Sequence, residues 1–273
     1  MRDIALNPGA STGHFQRHLD TIFPPREILK NQYTIKVPGF DKYKNGRTTI
    51  EVPVLPPHEV LHEELGNARD VEMSFRQSVR EGKMPTSYTQ HRIVMRARDG
   101  ETVWPLAVYL DGVPFQKRDG LLAIYVFCLP TGVRHLCAVI RKSEMCRCGC
   151  LGWCSIWELM SFLKWSLAAS AKGCMPSERH DGKAWMADDA ERAEQANQQI
   201  IKASVTQVKG DWSEFVHTLG LASWRSVVTP CFCCVSDRDH MGSVGDFVRG
   251  LSPCPTRTPS DYEQACRDCE VVV

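Results

Sequence analysis

A chain of 273 residues with 43% hydrophobic and 24% charged residues can bury one large core or two modest ones, which excludes fibrous and wholly disordered classes. A formal net charge of +1 excludes binding of nucleic acid by overall charge, so any such contact has to come from a local patch. Residues 1–23 mix Arg2, Asp3, His14, Arg17, His18 and Asp20 with single apolar residues, unlike a signal peptide, and the run Leu121 to Leu129 is too short to span a bilayer, so a soluble, intracellular chain with no membrane partner is expected.

In chain order, residues 1–57 read as an irregular extension. Pro24-Pro25, Pro38-Gly39, Asn45-Gly46, Pro53 and Pro56-Pro57 punctuate it, leaving room only for short strands at Ile35 to Val37 and Thr48 to Val54, paired around Asn45-Gly46. Residues 58–100 read as a helical basic segment. One helix runs from His58 to Leu65, and a second from Ala68 to Glu81 carries Val71, Phe75 and Val79 on one face. Arg69, Arg76, Arg80, Lys83, Arg92, Arg96 and Arg98 form either a solvated helix face or a phosphate-contacting patch.

A composition change near residue 100 marks a boundary, and residues 101–240 read as the core. Three strands are expected at Leu106 to Asp111, Leu121 to Leu129 and Val133 to Arg141, the last two antiparallel across Pro130-Thr131-Gly132. Asp111 ends the first apolar run. An ionised carboxylate there needs pairing, solvent or a cation, unless Asp111-Gly112 is simply a turn.

Thirteen cysteines without a secretory signal point to free thiols or metal. Cys146, Cys148, Cys150 and Cys154 fall within nine positions threaded with glycines, suiting a tetrahedral zinc or a small cluster, with ordinary free thiols as the alternative. Ser155 reads as the cap of an amphipathic helix that Lys172-Gly173 closes, with Trp157 and Trp165 in its core. His180-Asp181-Gly182 reads as a loop, and Ala187 to Ile201 as a polar surface helix. Ala203 to Val208 is a weaker strand leading to Asp211, either a second chemically placed carboxylate or the cap of a helix from Ser213 to Leu219. Cys231, Cys233 and Cys234 form a second thiol cluster that His240 lies close enough to complete, and residues 241–273 read as a disordered tail.

The order of a strand reading Pro105-Leu-Ala-Val-Tyr-Leu-Asp-Gly112, two antiparallel strands, a helix, and a strand ending in Gly210-Asp211 before a Pro-Cys-x-Cys element resembles the catalytic core of CACTA-type (En/Spm-like) DNA transposases over about residues 100 to 240. The resemblance implies an α/β (α+β) fold of the ribonuclease-H-like type: a mixed sheet with packed helices, cysteine-rich insertions and the irregular N-terminal extension. It implies DNA as partner, a nuclear location, and two-metal phosphoryl transfer in which Asp111 and Asp211 hold Mg2+ or Mn2+. It also implies a structural role for Cys146, Cys148, Cys150 and Cys154 and for Cys231, Cys233 and Cys234; read from the residues themselves, the metal is zinc at the first group, and at the second with His240 as the fourth ligand.

Such transposases supply a third acidic residue from a later helix. Here Glu214, Asp237, Asp246 and Glu263 stand on no convincing late helix, so the expectation is an incomplete or inactive copy, or one completed by a homo-oligomer or a second chain. The competing expectation is a non-catalytic, zinc-stabilised nucleic-acid or protein binding module.

Overall fold

The computed structural model describes residues 32–116 and 119–221, together with positions 258, 260, 261 and 264. The chain divides into two compact units, residues 1–209 and 210–273. The first is built on a mixed six-stranded sheet with packed helices, an α+β arrangement.

Strand β1 (Tyr33–Asp41) pairs antiparallel with β2 (Gly46–Val54), from Tyr33 opposite Val54 to Asp41 opposite Gly46. The turn forms because Asp41 Oδ1 accepts the N–H groups of Tyr43 and Lys44 at 2.8 and 3.2 Å, while Asn45 takes the left-handed conformation at φ 47°. Tyr33, Ile35 and Val37 turn inward and Thr34 and Lys36 outward, the period of two of a half-buried strand. Residues 33–54, expected as mostly irregular, are thus two nine-residue strands. They belong to the same sheet as the strands beyond residue 100: Val54 pairs with Ala138, and Leu55 N–H donates to the Cys137 carbonyl at 2.8 Å. No boundary separates them there, and the divide between the compact units falls instead after Lys209.

Helix α1 (Pro57–Gly66) starts on a proline, whose missing N–H costs nothing at that position, and buries His58, Leu61 and Leu65. Helix α2 (Arg69–Arg80) follows as expected, burying Phe75. Two single-turn helices, α3 (Thr86–Thr89) and α4 (Arg92–Met95), lead into the central strands. Tyr88 ties this segment down: its ring packs on Phe75, and its hydroxyl donates to the Val103 carbonyl at 2.9 Å.

Strands β3 (Val103–Gln116), β4 (Asp119–Cys128) and β5 (Arg134–Arg141) form the antiparallel meander. Their buried run of Leu106, Val108, Leu110, Leu122, Ile124, Val126 and Ile140 is the centre of the core. The start of β4 is held by a carboxylate that the sequence did not single out. Asp119 accepts from Ser143 Oγ at 2.8 Å, Ser143 N–H at 3.1 Å and Arg141 Nε at 3.1 Å, and the Ser143 hydroxyl foremost holds its carboxyl below the usual range.

Helix α5 (Trp153–Lys172) packs against β1 and α1 and lays Ile156, Leu159, Phe162 and Leu163 into the core. It begins from Gly152 and ends at Gly173, both left-handed, so Ser155 is an interior residue rather than the cap. Trp157 is also corrected: it is 60% exposed, outside the core that was expected to take it. Ser166, one of the helix's buried hydroxyls, meets His58 Nδ1 at 2.7 Å and accepts the His58 N–H at 3.1 Å.

The expected helix from Ala187 to Ile201 is cut short. A 3-10 turn (Ala187–Asp189) leads into α6 (Ala190–Glu194), after which Asn197 takes φ 65°. Backbone bonds between Met175 and residues 197 and 198, at 3.1 and 2.8 Å, capture the segment that helical propensity alone would have continued. Here Arg179 and Arg192 both reach the Asp189 carboxylate, and Arg179 stacks 4.6 Å over the Tyr33 ring. Strand β6 (Lys202–Gly210) then joins the sheet beside β3, giving the order β1-β2-β5-β4-β3-β6, and Thr206 Oγ1 donates to the Leu106 carbonyl at 3.3 Å. In the second unit, α7 (Trp212–His217) follows Asp211. No helix among the described residues is long and apolar enough to cross a membrane.

Candidate metal centre

The loop between β5 and α5, with the first turn of α5, brings four thiols together. A short 3-10 turn (Lys142–Glu144) ends β5, and Met145 bridges back to Gly39 of β1. Beyond it the backbone curls through left-handed positions at Gly149, Leu151 and Gly152, with φ values of 97°, 52° and 89°. Glycine suits position 152 by its positive φ, and a Cβ there would meet the terminal methyl of Met145 at 2.7 Å, so that flexible side chain would have to shift.

The Sγ atoms of Cys146, Cys148, Cys150 and Cys154 all lie within 4.8 Å of one another, and Cys148 and Cys154 are 3.7 Å apart. Zinc–sulfur bonds of about 2.3 Å at tetrahedral angles set an S–S edge of about 3.8 Å, so this cluster has the dimensions of a four-thiolate metal site. Cys146 is buried and Cys148 exposed, giving the group one anchored side and one open to solvent.

The surroundings favour an ionised ligand. Burial alone would raise the Cys150 thiol, but the Cys154 N–H, which points at Cys150 Sγ from 3.5 Å, together with the neighbouring thiols lowers it to about 6. Cys150 and Cys148 in turn push Cys154 up to about 12. Four thiols this close resist full ionisation without a cation among them, and a divalent ion removes that penalty. The residues therefore fit a metal ion such as zinc, and among the described residues they are the single group of three or more His, Cys, Asp or Glu side chains so placed.

A residue expected as a helix cap holds the site in place. Ser155 Oγ accepts the Cys146 N–H at 2.9 Å and donates to the Pro38 carbonyl at 2.5 Å, joining the thiol loop, α5 and β1. A serine directly after a cysteine cluster signals little by itself, because both partners come from elsewhere in the chain.

The two candidate carboxylates stand differently. Asp111 does not end its strand: β3 continues through it to Gln116, with Asp111 opposite Ala123 and Gly112 opposite Leu122, so the turn reading of Asp111-Gly112 is replaced by mid-strand placement. Asp111 is half-buried, and its carboxylate has no hydrogen-bond or ion-pair partner among the described residues. Asp211 lies in the second unit and caps α7, its Oδ1 accepting the Glu214 N–H at 2.7 Å. Cys231, Cys233, Cys234 and His240 lie outside the described residues, as do Asp237, Asp246 and Glu263. His180 lies in a loop, where its Nδ1 meets the Tyr33 hydroxyl at 2.7 Å. No protein-family model, curated protein or solved structure matches the chain.

Proposed function

We propose that this chain is a transposase-derived, DNA-binding protein with a ribonuclease-H-like core and a structural zinc ion on Cys146, Cys148, Cys150 and Cys154. The observation that carries the reading is the order of the central strands. An antiparallel meander is followed by a packed helix and then by a strand seated beside the first strand of the meander. That is the arrangement the transposase resemblance calls for.

Asp111 supports it from a second direction. A half-buried carboxylate on a central strand with no partner among the described residues suits a ligand to a hard divalent cation such as Mg2+ or Mn2+. Such a cation, when bound, supplies Lewis-acid activation of a phosphodiester and of its attacking hydroxyl. Asp211, in the second compact unit, is the second carboxylate that the transposase resemblance assigns to such a role. There it caps α7, accepting one N–H on Oδ1.

A titration of DNA-strand cleavage with Mg2+ and Mn2+, comparing wild type with Asp111→Ala, tests the catalytic part. Metal-dependent cleavage lost in the variant supports it, and identical behaviour of the two proteins removes it. The second reading, a non-catalytic zinc-stabilised binding module, is favoured by the fact that the metal-sized side-chain cluster among the described residues consists of thiols alone. It predicts DNA binding without cleavage in either protein.

A further inference from the structure

Residues 69–98 contain six arginines and one lysine against three carboxylates, and from Lys83 to Arg98 there are four cations and no carboxylate at all, in a chain whose whole excess is a single positive charge. The structure divides these cations into two kinds. Arg76 is neutralised by Glu72 at 2.7 Å and Lys83 by Glu81 at 2.6 Å. Arg69, Arg80, Arg92 and Arg96 have no carboxylate partner among the described residues.

Two of the unpaired guanidinium groups share a groove. Helices α3 and α4 line an open groove of about 810 Å3 with Thr86, Ser87, Gln90, His91, Arg92 and Arg96. Arg92 and Arg96 are four residues apart and both are exposed, so their charges face solvent at the groove. The other polar lining groups are two hydroxyls, an amide and an imidazole, none of which repels an anion. His91 Nδ1 accepts the Ile93 N–H at 3.2 Å, which leaves Nε2 to carry the ring proton as a further donor. Donors and fixed positive charge without a carboxylate are what a phosphate group selects.

Resting on the DNA-binding reading above, we infer that the α3–α4 groove is a contact site for the phosphate backbone of DNA, with Arg92 and Arg96 as its two charged donors. A polyanion is favoured over a single small phosphate ester because unpaired guanidinium groups continue beyond the groove at Arg69 and Arg80. The contact is to backbone and not to bases, so it carries affinity and no sequence preference.

The test is anisotropy of a labelled random-sequence DNA duplex with the full chain over a KCl series. Arg92→Ala/Arg96→Ala should weaken binding about tenfold or more and lower the slope of log affinity against log salt by about 2, near 0.9 for each phosphate that is no longer neutralised. Arg92→Lys/Arg96→Lys should keep most of that slope. Lys36→Ala/Lys44→Ala, which removes two exposed charges from the β1–β2 hairpin, should leave it unchanged. If wild type binds DNA and the double alanine variant matches it in affinity and slope, the groove assignment is overturned while the DNA-binding reading survives. If wild type binds no DNA, both fall. Sedimentation with phosphatidylserine vesicles is the last arm: vesicle binding abolished in the double alanine variant, with DNA affinity intact, would assign the groove to a membrane surface and overturn the inference.

Discussion

Cys146 and Ser155 are joined by a hydrogen bond from the Cys146 N–H to the Ser155 hydroxyl at 2.9 Å, and the same hydroxyl reaches the Pro38 carbonyl on β1. The first thiol of the cluster is thereby fixed to the helix that supplies the last one and to the edge hairpin. Ser155→Ala orphans a buried N–H and a carbonyl at once. Stability should drop by about 1–3 kcal/mol, read as a lower urea midpoint with unchanged m-value, and metal affinity should drop with it.

Gly152→Ala strains the same loop chiefly through its left-handed backbone, and it obliges the Met145 side chain to shift. The left-handed conformation should cost about 1–2 kcal/mol, with a smaller addition for moving Met145. Thermal unfolding of the metal-loaded protein should show a clear loss. Gly132→Ala, also at positive φ but with open space around its Cβ, should show the smaller one.

Metal removal provides a third expectation. Binding at a site formed only in the folded chain adds to stability by mass action, so a zinc chelator should lower the melting temperature and readdition of zinc should restore it. Cys148→Ser should reduce zinc affinity. Cys174→Ser, at a thiol outside the cluster, should leave it unchanged.

His58 gives a pH dependence. Its burial beside Ser166 lowers its pKa to about 3, so the folded chain holds it neutral where an unfolded chain would protonate it below about 6.5. Stability from this group is fully present above pH 6.5 and is lost as pH falls toward 3, with a slope of up to about 1.4 kcal/mol per pH unit. Urea midpoints measured from pH 7 to pH 4 should show that slope, and His58→Gln should flatten it.

Much of the fold is written locally. The alternation of Tyr33, Ile35 and Val37, with Asn45-Gly46 at the turn, marks the hairpin, and the period of Ile156, Leu159 and Leu163 with Gly173 beyond marks α5. The thiol cluster is legible for the same reason: its four ligands sit within nine positions, so a curling backbone suffices to gather them. What could not be read depends on partners distant in sequence. Asp111-Gly112 has the local chemistry of a turn, but Ala123 and Leu122 on β4 hold it extended. Asp119 gains its meaning from Ser143 and Arg141, and residues 195–201 leave the helical path because Met175 captures their backbone.

X-ray absorption at the zinc edge tests the metal centre most directly. The purified protein should carry about one zinc per chain at this cluster, surrounded by four sulfur atoms at about 2.3 Å, and Cys148→Ser should reduce the sulfur count. Zinc bound by nitrogen or oxygen ligands in their place, or a protein that retains full stability with no metal bound, would contradict the account.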